Sequence, residues 1–367
     1  MVWTGLVGLS LAAGVKAATP PEPALLHETW KTYLRTTVRK NGRVVDAKGG
    51  GHTTSEGQAY AMLRAVWADD PASFERIHRW TLRQLQRGAP TRAPAWKYGR
   101  QFLRLRVLDP APATDADLLM AWALQLAGEQ WDRSDYIEDA RALAQTTWTH
   151  NVVVLGERYV LLPGPWARGG DPVRVNPSYF LPFAMRDLDR LDPTLDWDRV
   201  IDDGYELLAE AVPAGELLPD WLYLDPATGT RVAAPDPKHN LHGFEAMRIP
   251  WMLAAEVAWH QDPRAEALLS PYLQWKTIWS EQHWLPAVAH PDGTPAVDYG
   301  HPALTGALLA AWAWQDPDTA LDLYQTDIAP SRGKDGWGDP DDYYAQNWIW
   351  FGIALWSGVA MPMEMTP

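Results

Sequence analysis

Apolar residues recur at helical spacing along most of this chain, and clusters of proline, glycine and aspartate separate one run from the next. The pattern predicts helices over residues 25–38, 54–67, 73–87, 116–127, 136–149, 178–188, 197–211, 244–260, 266–279, 302–314, 319–324 and 343–361. Residues 152–155 and 159–162 predict a small β-hairpin. No fixed sequence period is present, yet paired helices at steps of roughly 50 residues are compatible with a closed ring of helical hairpins.

The chain begins with a short apolar run over residues 2–18, which ends in small residues around Ala17. This pattern resembles the hydrophobic region and cleavage site of a secretory signal, and it is too short to span a bilayer. A buried helix is the alternative interpretation. We therefore expect residues 1–18 to be an export segment and residues 19–367 to form a single catalytic domain. The mature protein is then expected to be periplasmic or secreted, without a membrane span.

Composition narrows the class of partner. Lys and Arg number 32 and Asp and Glu number 46, so the net charge of −14 argues against nucleic acid or an anionic membrane surface. Cysteine is absent, which excludes disulfides and thiolate catalysis. The 22 tryptophans far exceed the 6 phenylalanines, and indole rings suit sugar stacking as well as core packing. The 10 histidines lack metal-ligand spacing and nucleotide-binding motifs are absent, so we expect no metal and no cofactor.

The stretch 54–67 places Glu56 in the first turn of a predicted helix, just after residues that favour a helix N-terminus. The simplest interpretation is a capping-type residue whose charge the helix dipole stabilises. A general acid is the alternative if nearby aromatic rings desolvate the carboxyl group. Gly57 allows close approach of a ligand, and the neighbouring Gln58 and Tyr60 are typical sugar contacts.

Two further segments carry acids that are candidates for catalysis. Asp115 and Asp117 stand at the start of another predicted helix, where capping explains one acid but not two. Glu245 precedes Arg248 by three residues. An exposed ion pair of this kind contributes only ~0–1 kcal/mol. Enclosure by the flanking aromatic residues would instead make the two groups perturb each other strongly.

Three short segments, residues 95–99, 174–179 and 219–221, offer ring faces, an amide, a phenol and an acid, although each alone is a weak signal and a loop tryptophan more often packs than binds. These segments supply the candidates Trp96, Tyr98, Asn176, Tyr179, Asp220 and Trp221. Together with Gln58, Tyr60 and Arg248, they form the predicted substrate-binding set.

Residues 55–62, Ser-Glu-Gly-Gln-Ala-Tyr-Ala-Met, resemble the acid-bearing motif of glycoside hydrolase family 8, and residues 113–124 resemble the aspartate signature of that family. The segment around Glu245 is similar to the family's Tyr-Asp-Ala-x-Arg segment. The likeness covers nearly all of the chain after the export segment. The chain departs from the family at Ala61, Gln125 and Glu245, where the family usually has glycine, an apolar residue and aspartate.

This resemblance implies an all-α fold, an (α/α)6 barrel with a small β-hairpin insertion, and hydrolysis with inversion of configuration. It also implies that Glu56 is the general acid, that Asp115 holds the distorted sugar, and that Glu245 replaces the usual aspartate as general base. The most similar members look like exported endoglucanases of bacterial cellulose-synthesis systems. A β-1,4-glucan substrate and a functional association with a cellulose synthase system follow from that likeness.

Other activities remain open at this point. Chitosanases and xylanases occur in the same family, and an acidic protein would attract cationic chitosan. The glutamate at the base position is also compatible with a non-catalytic glucan-binding protein on the same barrel. Helical toroids include polysaccharide lyases and sugar epimerases as well, but those enzymes would depend on Tyr, His or Arg rather than on an acid pair.

Overall fold

The structure is a computed structural model that describes residues 19–362. The predicted export segment, residues 1–18, lies outside the described residues. The helices are α1 Pro23–Thr36, α2 Ser55–Trp67, α3 Pro71–Gln84, α4 Thr114–Gln130, α5 Ser134–Asn151, α6 Pro182–Leu191, α7 Trp197–Ala211, α8 Ile249–His260, α9 Pro263–Leu269, α10 Trp275–Gln282, α11 Pro302–Gln315, α12 Pro317–Leu323 and α13 Tyr343–Trp356.

Six of these helices form a closed inner ring in the order α2, α4, α6, α8, α11 and α13, and α13 returns to contact α2. The helices α1, α3, α5, α7, α9 and α12 each pack on the outside of an inner helix. This arrangement is an (α/α)6 barrel, which confirms the expected fold. The inner helices α4, α8, α11 and α13 are buried around most of their circumference, as the inner layer of such a ring requires.

The backbones of the inner helices α11 and α13 are in close contact where both carry glycine. A Cβ atom placed on Gly352 would lie 2.0 Å from the carbonyl oxygen of Gly306. Only a residue without a side chain allows the two backbones to come this close. Over residues 19–362, no helix combines the length and the apolarity needed to cross a membrane.

The helix boundaries differ from the predicted ones mainly at proline. The helix predicted over 266–279 is divided into α9 and α10 by a 3-10 turn that contains Pro271, because proline lacks the N–H that a continuous helix would use. The helix predicted over 244–260 begins only at Ile249, after a separate 3-10 turn at Ala246–Arg248. As a result, Glu245 lies in the loop that precedes α8 and not inside that helix.

Short strands form small antiparallel sheets on the barrel. The strands are β1 Thr53–Thr54, β2 Lys97–Gln101, β3 Arg104–Asp109, β4 Val152–Leu155, β5 Arg158–Leu161, β6 Val173–Val175, β7 Leu222–Leu224, β8 Arg231–Val232, β9 Arg332–Gly333 and β10 Gly336–Trp337. The pair β4–β5 confirms the predicted hairpin, with Val152 opposite Leu161. The sheets β1–β2–β3, β6–β7–β8 and β9–β10 were not predicted, because strands of two to six residues leave little periodicity to detect.

Candidate active site

Arg248 is the central residue of the site and is fully buried. Its Nη1 donates to Oε2 of Glu56 and to Oδ2 of Asp115, each at 2.9 Å. Its Nη2 donates to Oγ of Ser178 at 2.7 Å and to Oε2 of Glu245. One guanidinium group therefore joins the three predicted catalytic carboxylates, which come from three separate parts of the chain.

Two of the three acids reach Arg248 from helix N-termini. Glu56 lies in the first turn of α2, where Oγ1 of Thr54 caps the helix by accepting from the Gly57 amide at 3.0 Å. Asp115 lies in the first turn of α4. Because both helices belong to the inner ring, their N-terminal ends meet on one side of the barrel, and their free amides and dipoles favour negative charge there.

The Glu56 carboxyl group has two side-chain donors. Oε1 accepts from the phenol of Tyr343 at 2.7 Å, and Oε2 accepts from Arg248. Burial raises the pKa of Glu56 to about 7, even though Arg248 and Tyr343 act to lower it; the charges of Asp115 and Glu245 add to the increase. Burial therefore outweighs the stabilising donors, and the carboxyl group can hold a proton near neutral pH, as a general acid must.

Asp115 is 2% exposed, and burial raises its pKa to about 6 against the opposing effect of Arg248. Its Oδ2 is bound to Arg248, whereas no group among residues 19–362 hydrogen-bonds to Oδ1. Buried carboxylate oxygens are normally hydrogen-bonded, so Oδ1 is an acceptor whose capacity the described residues leave unused. The neighbouring Asp117 is also fully buried, and burial raises its pKa well above the ordinary value.

Glu245 differs from the other two acids in exposure. Its side chain is 34% exposed, compared with 16% for Glu56. Its Oε2 accepts from Arg248 and, at 3.1 Å, from Nδ2 of Asn176. Asn176 is itself held by Ser178, whose N–H and Oγ both donate to Oδ1 of the amide. Glu245 thus faces the open side of the site while donors fix one of its oxygens.

Asp220 was predicted to contact substrate, but the structure gives it a supporting position beneath Glu245. Its Oδ1 accepts from the backbone amides of Gly243 at 2.8 Å, Glu245 at 3.2 Å and Ala246 at 2.8 Å. Burial raises the pKa of Asp220 to about 6, while the amides of Ala246 and Gly243 lower it and the charge of Glu245 adds to the increase. The three hydrogen bonds fix the loop that carries Glu245, so Asp220 positions that residue.

Two other predicted substrate contacts are wrong, because the side chains are buried in the protein. Gln58 is fully buried; its Oε1 accepts from the Val44 amide at 2.6 Å and its Nε2 donates to Oγ1 of Thr81 at 2.7 Å. Tyr60 is 1% exposed, and its ring packs edge-on against Trp348. Gln58 is two residues after Glu56 and therefore points to the opposite side of the helix. Tyr60 is four residues after Glu56 on the same face, but one turn further along the helix, where it is buried inside the ring.

The predicted aromatic residues divide into two groups. Tyr179 lies at the site, with its ring centre 5.3 Å from the Arg248 guanidinium carbon, and Trp96 is 39% exposed beside β2. Trp221 is half-buried, and the guanidinium of Arg174 lies 3.5 Å from its ring centre. Tyr98, by contrast, is buried with its ring edge against Trp80, so the structure assigns it to packing.

The structure adds residues that the sequence pattern had placed only at the start of the last helix. A cleft of about 380 Å³ lies over Glu56, Glu245 and Arg248, and it is lined further by Asp46, Lys48, Gly49, Phe244, His301, Asp342, Tyr343 and Tyr344. Tyr343 and Tyr344 open α13, an inner helix, so they stand at the same end of the ring as Glu56. Across residues 19–362, no group of three or more His, Asp or Glu side chains is placed to hold a metal ion.

A closed ring of helical hairpins with paired carboxyl groups in an aromatic-lined cleft defines a carbohydrate-hydrolysing class of enzyme. The chain matches the model of the glycosyl hydrolases family 8 over residues 2–344 and belongs to that family. The family resemblance noted in the sequence motifs is thereby confirmed.

Curated relatives carry endoglucanase names. A probable endoglucanase from Novacetimonas hansenii is 34% identical over 256 residues, which is 68% of this chain and 72% of the relative. An endoglucanase from Escherichia coli strain K12 is 32% identical over 64% of this chain and 63% of its own length. Among solved structures, an endo-1,4-D-glucanase from Vibrio fischeri ES114 has a TM-score of 0.78 at 25% identity, covering 89% of this chain and 93% of that chain. An endo-β-1,4-glucanase from Acetobacter xylinum has a TM-score of 0.73 at 27% identity, covering 92% and 99%.

Proposed function

We propose that this protein is an inverting, endo-acting glycoside hydrolase that cleaves β-1,4-glucan chains of the cellulose type. Membership of family 8 and the endoglucanase names of its relatives support the class of substrate. The exposed or half-buried rings of Trp96, Tyr179 and Trp221 offer faces for an uncharged sugar chain.

One observation carries the mechanism: Glu56 and Glu245 are bound to different nitrogens of the same guanidinium group and have different surroundings. Glu56 is the more buried and has a raised pKa, which suits a proton donor. Glu245 is more exposed, and its Oε2 accepts hydrogen bonds from Asn176 and Arg248. This arrangement suits a proton acceptor that water can reach. Arg248 bridges the two carboxyl groups through its two terminal nitrogens.

In the proposed reaction, Glu56 donates its proton to the glycosidic oxygen as the bond from that oxygen to the anomeric carbon breaks. Glu245 accepts a proton from a water molecule whose oxygen attacks the anomeric carbon from the opposite face. Inversion requires about 6.5–9.5 Å between the two carboxyl groups, so that the water fits between Glu245 and the sugar. The Oδ1 of Asp115, which has no partner among residues 19–362, accepts a hydrogen bond from a sugar hydroxyl group and holds the sugar ring in its distorted form.

The direct test is a screen of purified protein on carboxymethyl-cellulose, mixed-linkage glucan, xylan and chitosan with reducing-end detection. We expect activity on the first two, with a fall in viscosity that precedes extensive release of reducing ends, as endo attack requires. Proton NMR of the first products from a cello-oligosaccharide should show the α-anomer. Exclusive activity on xylan or chitosan would replace the substrate assignment, a β-anomer would exclude inversion, and no activity on any polymer would favour a binding protein.

We also propose that the protein acts in the periplasm or outside the cell, together with a cellulose synthase system. The signal-like pattern of residues 2–18 and the likeness to exported endoglucanases support this placement. Cell fractionation with an antibody against the mature chain tests it. Recovery of the protein only in the cytoplasm would contradict the proposed location.

A further inference from the structure

The hairpin β2–β3 carries an unusual surface away from the active site. Its turn consists of Phe102 and Leu103, which are 90% and 94% exposed and are the most exposed large apolar side chains of residues 19–362. Leu105, on the following strand, is 48% exposed. These adjacent apolar side chains project from the end of the hairpin into solvent. Exposed apolar side chains grouped in this way mark an interaction site.

Basic residues surround this apolar tip. Arg100, Arg104 and Arg106 are all exposed on the two strands of the hairpin. Over the hairpin, residues 97–109, these three and Lys97 are accompanied by one acid, Asp109, so the hairpin has a net charge of +3 in a chain whose net charge is −14. The acidic groups of the whole chain do not cancel this local charge, because screening limits electrostatic effects to about 10 Å in ordinary salt.

The turn itself favours a different residue from the one it contains. Phe102 has a φ of 54°, in the left-handed region that glycine adopts without strain and that a bulky residue rarely occupies. Two-residue hairpin turns with positive φ at the first position normally use glycine there. A phenylalanine at this position strains the turn and places an aromatic ring at the outermost point of the hairpin.

We propose that the β2–β3 hairpin docks the protein on the surface of an anionic phospholipid bilayer, with Phe102 and Leu103 entering the interface and the three arginines binding lipid phosphates. An apolar tip flanked by cations matches the layered chemistry of such a surface, in which phosphates lie above acyl chains. An uncharged glucan offers no group that would account for four positive charges against a single acid, Asp109. The net charge of −14 predicts that the protein does not bind an anionic membrane, but the arginines of the hairpin give this part of the surface a positive charge.

The position of the hairpin relative to the active site follows from the strand pairing. Strand β2 pairs with β1, where Thr54 lies opposite Lys97, and β1 leads directly into the helix that carries Glu56. The hairpin is therefore anchored at its base to the segment that leads into the active site, and its tip projects away from that segment. The protein would remain peripheral, since only the turn enters the interface.

Vesicle flotation with the full chain tests the proposal. Vesicles of pure phosphatidylcholine are compared with vesicles that contain about one third phosphatidylglycerol, at about 0.1 M salt. We expect at least ~10-fold tighter binding to the anionic vesicles. Replacement of Arg100, Arg104 and Arg106 by Gln should weaken that binding by roughly 100-fold, because each cation near such a surface strengthens binding about fivefold.

The apolar tip is tested separately with the double variant Phe102→Gly and Leu103→Ser, which should weaken binding to the anionic vesicles at least ~10-fold. Glycine suits the positive φ of the turn, so this variant keeps the hairpin, and thermal unfolding should be unchanged or slightly improved.

A matched control carries Arg39→Gln, Arg83→Gln and Arg141→Gln, three exposed arginines outside the hairpin, with the same change in net charge. It should bind the anionic vesicles like the wild type. The proposal is overturned if wild-type protein ignores anionic vesicles, if it floats equally with neutral ones, or if the hairpin variants and the control bind alike. Binding that survives the arginine changes but not the tip change would likewise reject recognition of anionic lipid.

Discussion

The phenol of Tyr343 donates a 2.7 Å hydrogen bond to Oε1 of Glu56, and this contact joins the last inner helix of the chain to the first. The ring of helices closes at α2 and α13, so Glu56, the proposed proton donor near the start of the chain, is hydrogen-bonded to a residue near its end. The hydrogen bond favours the charged carboxylate and lowers a pKa that burial has raised.

Tyr343→Phe should therefore raise the pKa of Glu56 further and move the basic limb of the pH–rate profile upward. The shift should be about one pH unit, because a hydrogen bond to a charged group contributes roughly 1.5 kcal/mol. The pH dependence of kcat/KM measures it. Tyr344→Phe is the matched control, since that phenol donates to the carbonyl of Phe244 instead of to Glu56. An unmoved limb in the Tyr343 variant would show that Glu56 does not set it.

Asp115→Asn should shift the same limb in the opposite direction. The charge of Asp115 raises the pKa of Glu56, so its removal lowers that pKa and brings the basic limb to lower pH. Turnover should also fall by ~10²-fold or more, because the amide cannot replace the charged acceptor for a sugar hydroxyl. Normal turnover with an unchanged profile would leave Asp115 with only a structural role at the start of α4.

Glu56→Gln should abolish hydrolysis of natural glucans while substrate binding and thermal stability stay close to wild type. The amide preserves shape but cannot donate the proton, and loss of general acid catalysis costs ~10²–10⁴-fold. Glu138→Gln, at an exposed position on α5, is the control, since it removes one carboxylate outside the site. Wild-type rates in the Glu56 variant would contradict its assignment as the acid.

Glu245→Gln should remove most of the activity, and azide should restore part of it by forming a glycosyl azide of inverted configuration. Glu245→Asp should also lower turnover, because the Asn176 and Arg248 contacts hold the longer side chain, and a misplacement of ~1 Å can cost ~10²-fold. NMR of the azide product provides the readout. Near-normal turnover of the Gln variant would transfer the role of base to another carboxylate and leave the glycosidase assignment intact.

Arg248→Met should destabilise the protein by about 3–5 kcal/mol at pH 8, because it leaves the buried carboxylates without their cation. The pKa values of Glu56 and Asp115, about 7 and about 6, lie above their unfolded values, so their contribution to stability is full in acid and is lost as the pH rises through the folded values. Without Arg248 both pKa values rise further, and the loss at pH 5 should be smaller. Urea unfolding at both pH values measures it; an equal loss at each would mean that Arg248 acts through packing alone.

Much of the fold could be predicted from the apolar pattern. The helix over Trp197–Ala211 has its predicted bounds because a cap at Asp196 precedes a strongly two-sided apolar pattern. The pattern failed where tertiary contacts decide, as in the 3-10 turn before Arg248 and in the short strands that find partners far along the chain. Gln58 is a second example of a residue whose role depends on tertiary contacts. Its polar side chain predicted a contact with a ligand, but its actual partners are the Val44 amide and Thr81.

The sequence by itself determined the order and nature of the helices, the family and the three candidate acids, because spacing, caps and motifs are local properties of the chain. Only the tertiary structure decided that one guanidinium, Arg248, binds Glu56, Asp115 and Glu245 together, and that Tyr343 completes the acid's surroundings. The physical reason is that burial and through-space charge set the pKa of a carboxyl group, and both depend on which distant segments the closed ring brings into contact.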